Sequence, residues 1–305
     1  MIRRLMLAKS TLEVLWQISP LVVLQMAKEE TKLFRKQSWH RLRIFFKYHF
    51  RRKEKEPVFV IAKRRTGSNL LLSYLNSVPE FSFSPPEPLN SDMYYGIPKK
   101  KVSKRSVLDH LAYTLNDNPT KICGFKMLFL RLRKHDLTLE DIRTRFPTAK
   151  FLIIYRRSLL KQFVSLKIAE KTDHWLWTRD FKLPDSLKLD AGEFRDFCAQ
   201  TREFYGELFQ FPWLRTCARV IAYEDLAADP QGIFDDRIFP FLKLRSFPIS
   251  TTMVKQNSKP LEELVENLEE LKSLAGTFDF EASWPAASPD RPSASLSIRS
   301  EPGKP

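Results

Sequence analysis

Two arginine doublets stand where an apolar run gives way to a turn and then to a helical pattern. The first doublet is Arg64 and Arg65, between an apolar run that begins at Val58 and a glycine turn. The first amides of a helix lack intrahelical partners and lie at the positive end of its dipole, so such a turn can bind an anion. Guanidinium groups beside it would add charge-assisted hydrogen bonds to phosphate oxygens. Four consecutive residues would supply the backbone amides: Thr66, Gly67, Ser68 and Asn69.

The loop at 63–69 does not match the common nucleotide-binding loops. It has one glycine, so neither G-x-x-x-x-G-K-[ST] nor G-x-G-x-x-G can be written across it, and this disfavours an ordinary kinase or dehydrogenase. The alternative to an anion site is a plain helix, capped by Ser68 or Asn69, that carries two surface arginines.

The second doublet is Arg156 and Arg157, directly after the apolar run 150–155. Ser165 follows Arg157 by eight residues, in the helical pattern that begins near residue 159. This spacing predicts that the side chains of Arg157 and Ser165 lie near one face of that helix.

Together the two segments resemble sulfotransferases that use 3'-phosphoadenosine 5'-phosphosulfate, and most closely the bacterial trehalose and related carbohydrate sulfotransferases. Further segments support the resemblance in family order, across roughly 57–280. They are SPPEPLN (84–90), ICGFKML (122–128), VIAYEDLAADP (220–230) and KPLEELVENLEEL (259–271).

The resemblance implies a sulfuryl transfer from that donor to a hydroxyl of a carbohydrate or glycolipid, with no metal. It implies that the first loop and Arg65 hold the 5'-phosphosulfate, and that Arg157 and Ser165 hold the 3'-phosphate. Lys126, at a strand end, would reach the transferred group, and Lys255 would close over the nucleotide. The doubled arginines leave the register open at 64–65 and at 156–157. Alignment on RTGS favours Arg65, and the spacing to Ser165 favours Arg157.

The acceptor hydroxyl must lose a proton as it attacks, so a carboxylate should stand nearby as general base. The resemblance points to Glu87, in the loop that follows the first helix; the alternative is a solvated glutamate. His174 and Trp175 follow the second helix, where they would either line the acceptor pocket or serve only in packing. Asp225 is expected to be a capping or structural carboxylate.

Short apolar runs alternate with helical patterns from residue 57 onward, which predicts an α/β fold with a mostly parallel sheet. With the resemblance, this becomes a P-loop-like, three-layer sulfotransferase fold with helices on both faces of the sheet. The predicted strands cover 58–63, 121–126, 150–155 and 218–223. The predicted helices cover 68–77, 137–146, 159–171, 191–209 and 261–275, the last ending at Gly276.

Three regions are expected: a basic arm (1–56), the catalytic domain (57–280) and a tail (281–305). The arm holds 14 Lys or Arg against 5 Asp or Glu, and Trp39, Leu42, Phe46 and Phe50 recur in it at helical spacing. It predicts an amphipathic helix that either contacts an anionic membrane surface or packs on its own domain. Ser and Pro make up 11 of the last 25 residues, so the tail is predicted to be disordered.

Composition narrows the remaining alternatives. The formal net charge of +15 favours an anionic partner. The three cysteines form no disulfide framework, and the apolar run 12–26 is too short and too interrupted to span a bilayer, so we expect a cytoplasmic enzyme. Nucleic acid is not an expected partner, and monomer and homodimer stay open. The rival functions are a phosphoryl transferase with an atypical loop and a basic module that binds lipid or nucleic acid.

Overall fold

Five parallel strands form one sheet. The computed structural model describes residues 54–90, 102–173, 175, 184–253, 259–276 and 278–284. The strands are β1 (Glu56–Ala62), β2 (Phe81–Ser82), β3 (Ile122–Leu128), β4 (Lys150–Tyr155) and β5 (Ala218–Ala222). Their order is β2-β3-β1-β4-β5, and every pairing is parallel. The predicted α/β fold is therefore confirmed.

Helices follow most strands and return the chain to the next one. Those before β4 are α1 (Ser68–Ser77), α2 (Lys104–Asp117), α3 (Phe129–Lys134) and α4 (Leu139–Arg145). Between β4 and β5 lie α5 (Leu159–Thr172), α6 (Ala191–Leu208) and α7 (Leu214–Cys217). After β5 come α8 (Tyr223–Ala228), α9 (Pro230–Ile233), a π-helical turn (Phe234–Ile238), α10 (Phe239–Leu242), α11 (Leu261–Leu264), α12 (Leu268–Ala275) and α13 (Phe280–Ser283).

The central strands are buried on both faces, which is why each is a nearly continuous apolar run. In β1, Val58 and Val60 pack in a cluster with Leu71 and Leu75 of α1. Because successive side chains of a strand point to opposite faces, Phe59 lies on the other side, with its ring 4.8 Å from that of Phe125. The sheet is thus the middle of three layers.

Most predicted elements form where the pattern places them, but one predicted helix is interrupted. The stretch 261–275 divides into α11 and α12, because Leu187 pairs with this backbone. Its N–H donates to the carbonyl of Leu264 (2.7 Å) and its carbonyl accepts from the N–H of Glu266 (3.0 Å). Gly276 ends α12 with a positive φ of 55°, as predicted. The elements that were not predicted are the two-residue β2, helices α2 and α3, and the short helices α7, α9, α10 and α13.

The last described residues close over the sheet. Phe280 is buried and stacks on Tyr205, with ring centroids 4.8 Å apart. Trp284 packs on Phe209 at 5.5 Å. Helix α13 therefore spans the expected boundary between domain and tail.

No helix among the described residues is long and apolar enough to cross a bilayer. The predicted arm helix at 39–50 and the tail from 285 onward lie outside the described residues.

We expect Gly124→Ala to destabilise the domain strongly. Gly124 of β3 lies opposite Val58, and an added Cβ would collide with the Val58 carbonyl oxygen. Overpacking in a rigid sheet costs about 1–3 kcal/mol or more. Gly206→Ala in α6 is the matched control: its Cβ meets nothing within 4 Å, so a gain of about 0.5–1 kcal/mol is expected. Urea unfolding of both variants measures the difference, and equal stabilities would contradict this packing.

Candidate functional site

The candidate site lies at the carboxyl ends of β1 and β4. Strand β1 has β3 on one side and β4 on the other, so the chain changes direction across the sheet at β1. In open parallel sheets, ligands bind in the crevice at such a switch point. The loop after β1 and the loop after β4 carry the two arginine doublets, so both doublets lie at this end of the sheet.

The loop after β1 turns through left-handed backbone. Arg65 has a φ of 64° and Gly67 a φ of 85°. Gly67 is the N-cap of α1, and no side chain caps the helix, so the predicted cap by Ser68 or Asn69 is wrong. An added Cβ on Gly67 would also collide with the ring of Tyr223. Glycine is therefore required here both by conformation and by space.

Three carbonyl groups of this loop are held by side chains. The carbonyl of Lys63 accepts from the hydroxyl of the fully buried Thr66 (3.0 Å). That of Arg64 accepts from Gln162 Nε2 (2.8 Å), and that of Arg65 from Arg156 Nη1 (3.5 Å). Two of these donors belong to the segment that follows β4. The second strand-to-helix unit thus fixes the backbone of the first loop.

The first doublet is divided between the crevice and solvent. Arg65 Nε donates to Ser165 Oγ (2.9 Å), and Arg65 Nη1 donates to the carbonyl of Trp175 (3.0 Å). Arg64 is exposed, with its guanidinium 5.4 Å from the centre of the Trp175 ring. Arg65 is therefore the member of the doublet that joins the two loops.

The second doublet is divided as well. Arg157 forms a two-bond pair with Asp225, Nη1 to Oδ1 at 2.5 Å and Nη2 to Oδ2 at 2.8 Å. Arg157 and Ser165, which the spacing placed near one helix face, have different side-chain partners: the guanidinium of Arg157 binds Asp225, and the hydroxyl of Ser165 accepts from Arg65. Asp225 is thus a structural carboxylate, and the hydrogen bond to it raises the pKa of Arg157.

Arg156 faces the first loop. Its side chain is only 11% exposed, and its guanidinium lies 4.6 Å from the centre of the Tyr223 ring. Its Nε has no hydrogen-bond partner among the described residues, and Glu224 Oε1 stands 3.9 Å away. Burial lowers the pKa of both Arg65 and Arg156, and the charge of Arg156 lowers that of Arg65 further. An anion bound here would relieve this repulsion.

Lys126 contacts both the start of α1 and the loop that carries Glu87. It is 5% exposed, and its Nζ lies 2.6 Å from Glu87 Oε1 and donates to Asn69 Oδ1 at 2.6 Å. The backbone N–H of Lys126 also donates to the carbonyl of Pro86 (2.7 Å). The structure therefore brings together three residues for which the resemblance implied separate roles, in the donor loop (Asn69), at the transferred group (Lys126) and as general base (Glu87).

Two solved sulfotransferase structures are similar to this chain. The sulfotransferase from Alicyclobacillus acidocaldarius shares 14% identity over 72% of this chain and 96% of its own, with a TM-score of 0.44. The sulfotransferase STF1 from Mycobacterium tuberculosis shares 15% identity over 73% of this chain and 81% of its own, with a TM-score of 0.37. No protein-family model matches the sequence, and no curated protein sequence is significantly similar to it. At these values neither structure decides the function, which we infer from the site.

The remaining candidate residues have varied placements. Trp175 is 39% exposed beside Arg64 and Arg65, at the mouth of the crevice. His174 and Lys255 lie outside the described residues. Within the described ranges, no group of three or more His, Cys, Asp or Glu side chains is placed to bind a metal.

Sequence reasoning missed two residues of this site. Gln162 is fully buried and holds the loop carbonyl of Arg64, but an isolated glutamine in a helix gives no sequence signal. Tyr223, whose ring lies over Gly67, does have a sequence signal, because it is the aromatic residue of YEDL, directly after β5.

The pH dependence of stability offers a test of the burial of Lys63 at the start of the loop. Its Nζ donates to Thr201 Oγ1 (2.9 Å), and burial lowers its pKa to about 8 from 10.5. Between these values the unfolded chain binds more protons than the folded one, so stability rises with pH. Relative to Lys63→Met, the wild type should therefore gain unfolding free energy from about pH 8 to about pH 10.5. Urea unfolding of both proteins across this range measures the change, and a constant difference would contradict it.

Proposed function

We propose that the chain transfers a sulfuryl group from 3'-phosphoadenosine 5'-phosphosulfate to a hydroxyl of a carbohydrate or glycolipid. The observation that carries the proposal is the hydrogen bond from Arg65 to Ser165 at the switch point of the sheet. It joins two strand-to-helix turns in one crevice, where one ligand with two anionic ends can contact both. The loop would hold an anion with arginines and backbone amides, and it does not have the glycine and lysine pattern of common kinases.

In the proposed reaction the acceptor oxygen attacks sulfur in line and forms the new S–O bond. The S–O bond to the bridging phosphate oxygen breaks, and 3'-phosphoadenosine 5'-phosphate leaves with that electron pair. Arg65, Arg156 and the first amides of α1 would neutralise the charge that develops on the leaving group. Glu87 would take the hydroxyl proton, and Lys126, which contacts Glu87 and the loop residue Asn69, would meet the transferred group.

Arg157 and Ser165 are the proposed ligands of the 3'-phosphate, as the resemblance implies. Because Asp225 already binds the guanidinium of Arg157 through two hydrogen bonds, this cation would be shared between Asp225 and the phosphate. The Ser165 hydroxyl would either give up its hydrogen bond from Arg65 and donate to the phosphate, or accept from Arg65 and donate to the phosphate at the same time.

We expect 3'-phosphoadenosine 5'-phosphate to raise the melting temperature by roughly 5 °C or more at 100 times its Kd. ADP, which has no 3'-phosphate, should raise it far less at the same concentration. Arg65→Met should remove most of the shift, because a hydrogen bond from a charged group is worth about 1.5–3 kcal/mol. Arg105→Met, at an exposed arginine of α2, is the matched control and should keep it. Equal shifts by both nucleotides would exclude the proposed donor.

Glu87→Gln should lower turnover by roughly 100-fold or more and leave nucleotide binding unchanged, because the amide cannot accept the hydroxyl proton. Turnover is measured with labelled donor and the acceptor found by incubation with a cell extract. Glu269→Gln, at a strongly exposed glutamate of α12, is the control and should retain full turnover. A Glu87→Gln enzyme of undiminished turnover would remove Glu87 as the base.

A further inference from the structure

Lys126 is a buried cation shared by two parts of the site. A buried ammonium has three N–H donors and is costly unless it is paired and hydrogen-bonded. At 5% exposure, Lys126 meets this need with the carboxylate of Glu87 and the side-chain oxygen of Asn69, both at 2.6 Å. One charge is thus held from two sides by residues that lie far apart in the sequence.

The Glu87 loop depends on Lys126 for its main chain and for its side chain. The carbonyl of Pro86 accepts from the N–H of Lys126 at 2.7 Å, and the next residue pairs with the Lys126 ammonium. Strand β3 therefore determines where the carboxylate stands. The backbone alone does not fix the direction of the ammonium, because the lysine stem has four rotatable bonds. The side chains that contact the ammonium must fix it.

Asn69 supplies that second constraint. It lies in the first turn of α1, directly after Gly67 and Ser68, and its side chain turns away from the helix cap and toward β3. An asparagine oxygen accepts a hydrogen bond without bringing a charge that would compete with Glu87 for the ammonium. Serine at this position would be too short to reach as far, and aspartate would form a rival ion pair.

We infer that Asn69 is a positioning residue. Through Lys126 it fixes the position of the Glu87 carboxylate relative to the loop that binds the donor. The distance between the donor and the proposed base is therefore constant. The inference rests on the proposed function, in which Glu87 is the base. It assigns to the Asn69 side chain a role in turnover and none in nucleotide affinity, which the backbone amides and Arg65 supply.

A double-mutant cycle tests this role. Asn69→Ser should lower kcat at least about tenfold, the effect of losing one hydrogen bond to a charged group. Its Kd for 3'-phosphoadenosine 5'-phosphate should stay within about twofold of the wild type, a split that a general loss of folding would not give. In a Lys126→Met background the same change should have no further effect on kcat, because Asn69 acts only through Lys126. Lys272→Met, at an exposed ion pair of α12, is the matched control for the lysine change.

The melting temperatures of the same four proteins report on the contact itself, whether or not the chain transfers sulfuryl groups. Asn69→Ser should lower the melting temperature of the wild type, but that of Lys126→Met by no more than about 1–2 °C. If Lys126→Met does not fold, Lys126→Ala, which likewise offers Asn69 no donor, replaces it in both cycles.

Any of three results would overturn the positioning role. The first is that the two changes lower kcat additively, and the second is that Asn69→Ser weakens nucleotide affinity. The third is that the effects of the two changes are coupled in melting temperature but not in kcat. These outcomes leave the proposed function intact. A wild-type protein that transfers no sulfuryl group removes the proposed function, and the inference with it.

Discussion

Two guanidinium groups share a partly buried crevice at the end of β1, and much of the surrounding structure compensates for their repulsion. Arg65 is held by the neutral oxygens of Ser165 and Trp175, and Arg156 lies against the ring of Tyr223, with Glu224 only at 3.9 Å. The two oxygens and the ring position the guanidinium groups without adding a negative charge of their own, which suits an anion site. The left-handed turn, the buried Gln162 and the switch in strand order all serve to bring the cations to one place.

The sheet was predictable because its strands are buried on both faces. The runs that became β1 and β4 are apolar at nearly every position, so the limits of β4 could be read to the residue and those of β1 to within two residues. Strand β2 was not predictable, because two residues form no pattern and Phe81–Ser82 is a strand only through pairing with β3. The break between α11 and α12 likewise depends on Leu187, a distant residue whose pairing a local helical pattern cannot show.

The candidate site was predictable at the level of its loops but not of its side-chain directions. The turn at Gly67 follows from residue types, and the choice of Arg65 within its doublet came from the family resemblance. The division of Arg156 from Arg157 does not, since adjacent residues at a strand end point to opposite sides and the sequence could not say which side faces the crevice. A carboxylate from after β5, Asp225, then binds Arg157, and this contact between distant segments is invisible to spacing. For the same reason Asn69 resembled a helix cap and proved to be the partner of a lysine on β3.

The closing segment of the domain has a practical consequence for protein engineering. Phe280 and Trp284 stack on Tyr205 and Phe209, while Asp279 accepts a hydrogen bond from Tyr155 Oη at 2.7 Å. Tyr155 is the last residue of β4, directly before the second doublet. A shortened expression clone that ends before Phe278 would expose this aromatic layer to solvent. It would also remove the contacts that stabilise the end of β4, next to Arg156. One that ends after Trp284 keeps the layer whole and gives an affinity tag or fluorescent label a firmly seated point of attachment.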